Sequence, residues 1–66
     1  MINHVKRYRV ELGITQQELA DLLKVSRQTI FSIETAKYIP STILSLKISK
    51  IFKKSVEDVF VLEPND

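Results

Sequence analysis

Four hydroxyl residues, Thr15, Ser26, Ser41 and Ser55, each stand just ahead of a short apolar pattern with helical spacing. A Ser or Thr hydroxyl at such a point accepts a hydrogen bond from a backbone N–H of the first turn, a donor that has no partner inside the helix. Four starts within 41 residues leave room only for short helices, and they therefore constrain the fold more than any other feature. At Thr15 the signal is doubled. Glu18 follows three residues later, so hydroxyl and carboxylate each satisfy a backbone N–H in a capping box. The helix begun there has Leu19, Ala20 and either Leu22 or Leu23 as inner positions. Ser26 begins a helix to about Glu34 or Thr35, anchored by Ile30 and Ile33. Ser41 begins one to about Phe52, with Leu44, Ile48, Ile51 and Phe52 facing in. Ser55 begins a last helical turn, Val56 to Phe60.

Ahead of these lies a segment from about Ile2 to Leu12, with Asn3 in a capping position and Val5, Tyr8 and Leu12 on one face. Gly13 is a left-handed stop for it. The stretch "AKYIP" reads as a loop, because Pro40 disfavours helix at Ile39. The end, "FVLEPND", is compatible with a short strand or an extended tail. The expected fold is all-α: five short helices in one domain over residues 1–66, with a short extended C-terminal tail.

A chain of 66 residues buries only a small core, which disfavours a large substrate cleft. The formal net charge is +2, but it is unevenly spread. Residues 27–54 carry +5 and residues 55–66 carry −4, giving a basic body and an acidic tail. A basic body suits a polyanion, and a solvated charged surface is the plainer reading. With no cysteine there are no disulfides or thiolate metal sites, and His4 alone makes no metal cluster. No apolar run approaches the roughly 18 residues of a membrane span. No apolar signal core opens the chain. A cytoplasmic protein without metal or cofactor is expected.

Residues 15–35, "TQQELADLLKVSRQTIFSIET", place two short helices around a short turn. This is the size and pattern of a helix-turn-helix. In that motif the second helix enters the major groove while the first braces it across the backbone. Ala20 is small enough for the brace contact. Ile30 and Ile33 face in, so Arg27, Gln28 and Ser32 face out. Arg can bond guanine O6 and N7 in bidentate fashion, and Gln can do so with adenine N6 and N7. Thr29 is placed for a phosphate, a thymine methyl or a second capping bond. Gln16, beside the free N–H groups at a helix start, is placed to grip a phosphate. With Gln17 and Ser26 these residues form the expected DNA-facing set. Taken singly, Arg27 or Gln28 is no more than a solvated helix residue; the joined pattern carries the reading.

That pattern, "TQ-x-E-L-A" joined to "V-S-x-x-x-I-x-x-I-E", resembles the Cro and phage-repressor type of helix-turn-helix, the xenobiotic-response-element family. The resemblance runs from about Val5 to Phe60 and is to the short stand-alone regulators. It implies a five-helix, lambda-repressor-like DNA-binding domain that acts as a dimer on a double-stranded operator, most simply as a repressor. It implies that Gln16, Arg27, Gln28 and Ser32 face DNA, that Lys37 lies near a phosphate, and that Arg9 pairs with Glu34. The family often has glycine where this chain has Lys24, Ala36 and Lys53, so either those turns differ here or their strain is tolerated. Phe31 also departs, being aromatic at an outward position.

The run Phe60–Leu62 is apolar on both faces of any regular element, more than one core can cover. A homodimer interface at Val59, Phe60, Val61 and Leu62, within a dimerisation tail of about 56–64, is therefore expected. The rival reading is a protein-interaction module, such as an antitoxin that caps a toxin with its acidic tail. An enzyme is the remote alternative: Glu57 and Asp58 are adjacent on a helix and diverge, and no converging acid–base pair is visible.

Overall fold

The computed structural model describes residues 1–66. The order is β1 (Ile2–Asn3), α1 (Val5–Leu12), α2 (Gln16–Leu23), α3 (Arg27–Glu34), α4 (Thr42–Phe52), α5 (Val56–Val59) and β2 (Phe60–Val61). All four hydroxyl residues are caps. Thr15, Ser26, Ser41 and Ser55 accept from the backbone N–H of Glu18, Thr29, Leu44 and Asp58, at 3.0–3.2 Å. Thr15 completes its capping box through Glu18 Oε1, 2.9 Å from the Thr15 N–H. Ser55 forms a second box with Asp58.

The first four residues differ from the expectation. Helix α1 begins at Val5, and Ile2–Asn3 instead pairs antiparallel with Phe60–Val61, in the register Ile2↔Val61 and Asn3↔Phe60. The all-α class holds with this one small ribbon added. The Asn3 side chain explains the break. Its Oδ1 accepts from the Val5 N–H at 3.2 Å, while its Nδ2 donates to the Ile33 carbonyl at the end of α3 at 2.9 Å. His4 holds the N-cap position without a side-chain bond, and Asn3, one residue earlier, serves the first N–H of α1 and ties both chain ends to α3. The N-terminal ammonium lies 3.0 Å from both Glu63 and Asp66. Hydrogen bonds to Glu63 and then Asp66 raise its pKa above 8.0. The Asp66 carboxyl is lowered in turn, first by the Glu63 N–H and then by the ammonium.

Ten apolar side chains form the core: Val5, Leu19, Ala20, Leu23, Ile30, Ile33, Ile48, Phe52, Val59 and Phe60. Leu23 therefore fills the place left open between it and Leu22, which is exposed. Leu12, expected inside, is exposed as well, because the eight-residue α1 turns away at Gly13. Leu44 and Ile51 are half-buried beside Ile48 and Phe52. Tyr8 is half-buried against Phe52, with Arg7 and Lys54 over its ring.

Helices α1 to α4 all close the same way. A residue in left-handed backbone follows each, directly after α1, α2 and α4 and beyond Thr35 after α3, at φ 73° for Gly13, 57° for Lys24, 61° for Ala36 and 55° for Lys53. The next N–H reaches back to the carbonyl five residues earlier: Ile14 to Arg9, Val25 to Ala20, Lys37 to Ser32, Lys54 to Ser49. This is the Schellman closure, which usually takes glycine at the left-handed residue. The turns thus keep the glycine shape, and the steric cost of a Cβ persists at three of them. Lys24→Gly, Ala36→Gly and Lys53→Gly are each expected to stabilise the fold by up to about 1 kcal/mol. In a domain of this size that raises Tm by roughly 4–8 °C per kcal/mol. Thermal unfolding followed by circular dichroism measures it, and three unchanged or lowered values would remove the strain from the account. The buried Ser49 Oγ has no hydrogen-bond partner. Ser49→Ala removes an unsatisfied group, so the same measurement is expected to give equal or higher stability.

Candidate nucleic-acid interface

The capped start of α2, the Lys24–Ser26 turn and α3 form one rigid unit. Ala20, fully buried, lets α2 and α3 approach, and Ile30 and Ile33 pin the inner face of α3 at zero exposure. With that face fixed, helical geometry turns Arg27 and Gln28 outward, and both are exposed, while Ser32 is half-buried. Thr29 is half-buried too. Its N–H and hydroxyl both meet the Ser26 Oγ, at 3.1 and 3.0 Å, which is the capping role considered for it. That bond occupies the Ser26 side chain with the helix start.

Behind this face runs a chain of polar contacts. Arg9 Nε lies 2.7 Å from Glu34 Oε2, and Arg9 Nη2 lies 3.3 Å from Oε1. The Arg9 and Glu34 side chains are only 11% and 2% exposed, so the expected pair exists and is buried. Arg9 Nη1 also donates to the Ile14 carbonyl at 2.8 Å, fixing the α1–α2 loop. Glu34 Oε1 accepts from Gln16 Nε2 at 3.0 Å, and Gln16 Oε1 accepts from Arg27 Nη1 at 3.2 Å. The carboxylate sets the direction of the Gln16 amide: its NH2 must point to Glu34, so its oxygen points to Arg27. An arginine of α1 is therefore linked through two side chains, Glu34 and Gln16, to the first residue of α3. This bridging role of Gln16 was not legible in the sequence, because an amide's partners depend on which helices meet.

The other expected residues fall in four places. Gln28, Thr29 and Ser32 line one shallow concavity together with Tyr38 from the following loop. Tyr38 was not singled out by sequence reading; its only signal was an aromatic in the loop directly after α3. Lys37 stands over the Phe31 ring at 6.0 Å, which covers the outward aromatic in part and leaves Phe31 38% exposed. Gln17 lies along α2, donating to Asp21 Oδ1 at 2.9 Å on an exposed surface. Val59 and Phe60 lie in the monomer core, whereas Val61 and Leu62 are exposed. The backbone alternates at β2, with Phe60 inward and Val61 outward, so the run is split between core and surface.

A short brace helix, a tight turn and a second helix with its polar face free define a helix-turn-helix domain. The helix-turn-helix family profile matches residues 5–59, and the chain belongs to that family, in its Cro and phage-repressor type. It is 47% identical over 66 residues to an uncharacterized HTH-type transcriptional regulator of Methanocaldococcus jannaschii, with both chains fully covered. It is 46% identical over 63 residues to one of Bacillus subtilis, covering 96% of each chain. An Archaeoglobus fulgidus regulator of the same description is 36% identical over 66 residues, all of this chain and 93% of its own. No helix is long and apolar enough to cross a membrane, and no three His, Asp or Glu side chains gather as a metal site would require.

Removing Glu34 leaves the Arg9 guanidinium buried without its partner. Glu34→Ala is expected to cost about 3 kcal/mol or more, against about 1 kcal/mol for Gln16→Ala. Urea unfolding of both variants measures this. Equal, small losses would mean that the Arg9–Glu34 pair does not hold the helices.

Proposed function

We propose that the protein is a transcriptional regulator that binds double-stranded DNA in a sequence-specific way, with α3 in the major groove. The observation that carries this is the outward side of α3, with Arg27 and Gln28 exposed and Ser32 half-buried, on a helix whose opposite face is fixed by Ile30 and Ile33. Membership of the helix-turn-helix family and relatives described as HTH-type transcriptional regulators support it. In this reading Arg27 and Gln28 carry most of the direct readout. Gln16, at the start of α2, meets a phosphate with its second amide hydrogen while Glu34 and Arg27 hold the group in place. Lys37 supplies a phosphate contact, and Ser26, Thr29 and Gln17 lie at the edge of the same surface.

The regulator acts as a homodimer, most simply a repressor in the cytoplasm, on a near-palindromic operator. Two copies of α3 would then lie in successive major grooves, about 34 Å apart. Phosphate neutralisation by the basic body makes binding fall steeply with added salt. Selection of sites from random double-stranded DNA tests this. A two-half-site consensus is expected, and sequences no different from the input pool would refute specific binding.

On the selected site, Gln28→Ala is expected to relax preference at one base position per half-site by about 1–3 kcal/mol. Repeating the selection with the variant measures it, and an unchanged consensus would contradict the role of Gln28. Lys37→Ala is expected to weaken all sequences about equally. Fluorescence anisotropy on matched and mismatched duplexes checks this, and a loss confined to one base position would remove Lys37 from the phosphate.

A further inference from the structure

Three polar side chains that have no hydrogen-bond partner within the chain meet at one place. They are the Gln28 amide, the Ser32 hydroxyl and the Tyr38 hydroxyl, and with Thr29 they line the shallow concavity beside α3. Their neighbours are already engaged. Arg27 bonds Gln16, Gln17 bonds Asp21, and Ser26 bonds Thr29. Gln28 and Ser32 stand four residues apart, and Thr29 and Ser32 three, so one stretch of helix surface presents all three. Tyr38 comes from outside the helix. Its N–H donates to the Ser32 carbonyl at 3.2 Å, as does the Lys37 N–H at 2.9 Å, which anchors the loop to α3. The Tyr38 side chain stays 45% exposed. A tyrosine held in this way offers a stiff apolar ring with a polar tip. Thr29 adds a second apolar group, because its hydroxyl turns to Ser26 Oγ at 3.0 Å and leaves the methyl free.

We propose that Tyr38 is a base-reading residue outside α3, and that this concavity receives one A·T pair, with Gln28 on the adenine and the thymine 5-methyl against the Tyr38 ring. The inference rests on the DNA-binding reading above and names the base pair that this part of the surface takes. The adenine edge offers N7 as acceptor and N6 as donor, which a Gln amide meets with its NH2 and its oxygen. The thymine beside it offers O4, an acceptor for the Ser32 hydroxyl, and a methyl, the one apolar group on any major-groove edge. A G·C pair in the same place presents two acceptors on guanine, which leaves the amide oxygen unpaired, and no methyl for the ring. A phosphate would use the hydroxyls and leave the ring and the Thr29 methyl without a partner. The size agrees. The concavity, about 290 Å³, holds on the order of ten waters at about 30 Å³ each, enough for the edge of a flat group. Small-molecule pockets are mostly apolar and enclose their ligand, whereas this one is shallow, with a single ring among polar side chains.

Thymine-to-deoxyuridine replacements, made one at a time in a duplex selected by the wild type, test the proposal. Deoxyuridine keeps the hydrogen-bonding atoms and removes only the methyl. Fluorescence anisotropy gives the Kd of the wild type, Tyr38→Ala and Tyr38→Phe for each duplex. In each half-site one thymine is expected at which the wild type loses about fourfold, the value for burying one methyl-sized group. It is expected at the base pair whose preference Gln28→Ala relaxes. Tyr38→Ala is expected to bind thymine and deoxyuridine duplexes alike at that position, and Tyr38→Phe, which keeps the ring, to retain the discrimination. No methyl-sensitive thymine, one at a pair that Gln28 does not read, or a Tyr38→Ala chain that still discriminates would each overturn the proposal. So would equal weakening of every duplex by both variants, the behaviour of a phosphate contact. Those results leave specific binding by α3 standing, whereas a wild type that selects no consensus overturns both readings.

Discussion

The contact between Arg9 and Glu34 is what the rest of the structure depends on. Buried ion pairs give little net stability compared with an apolar pair of the same size, because both charges lose their water. Their effect is on direction. Glu34 ends α3, Arg9 lies in the second half of α1, and the pair is buried with its hydrogen bonds satisfied by Gln16 and the Ile14 carbonyl. Any rotation of α3 about its axis would separate the charges, at a far larger cost than loss of one exposed contact. The angle at which Arg27 and Gln28 leave the surface is thus set by a charge pair just behind it, linked to Arg27 through Gln16.

The short helices make that constraint necessary. Four helices close with the same left-handed turn, and none exceeds the 11 residues of α4. Isolated helices of that length are marginal in water, so packing must hold them. Ten apolar side chains supply the core, and the polar links complete it at the helix ends. Asn3 performs at the end of α3 what Gln16 performs near its start. Each ties a separate segment of chain to α3, one from the β-ribbon and one from α2.

Much of this was legible in the sequence because it is local. A cap hydroxyl and the N–H it serves are three residues apart, and the inward spacing of Ile30 and Ile33 survives any arrangement of the other helices. The four helix starts and the outward row of α3 follow from such short-range rules. What was not legible depends on meetings between distant segments. Ile2 and Asn3 read as the start of a helix, since nothing near them announces Phe60 and Val61 as pairing partners. Leu12 had the spacing of a core residue, but Gly13 turns the chain before α1 can bury it. The direction of the Gln16 amide requires Glu34, eighteen residues on, and Tyr38 gains its place beside Gln28 only through the course of the loop. The shape of the turns at Lys24, Ala36 and Lys53 was open between a changed turn and a strained one, and the backbone carries the strain.

The central claim is that the outward row of α3, held in direction by the Arg9–Glu34–Gln16 links, is the surface that meets DNA. Amide chemical-shift mapping during titration with a selected duplex tests it most directly. The account predicts saturable changes concentrated at Gln16 and over residues 26–32 and 37–38, with the Gln16 side-chain amide among the largest. Changes concentrated instead on α1 and the β-ribbon, or no saturable change at all, would contradict it.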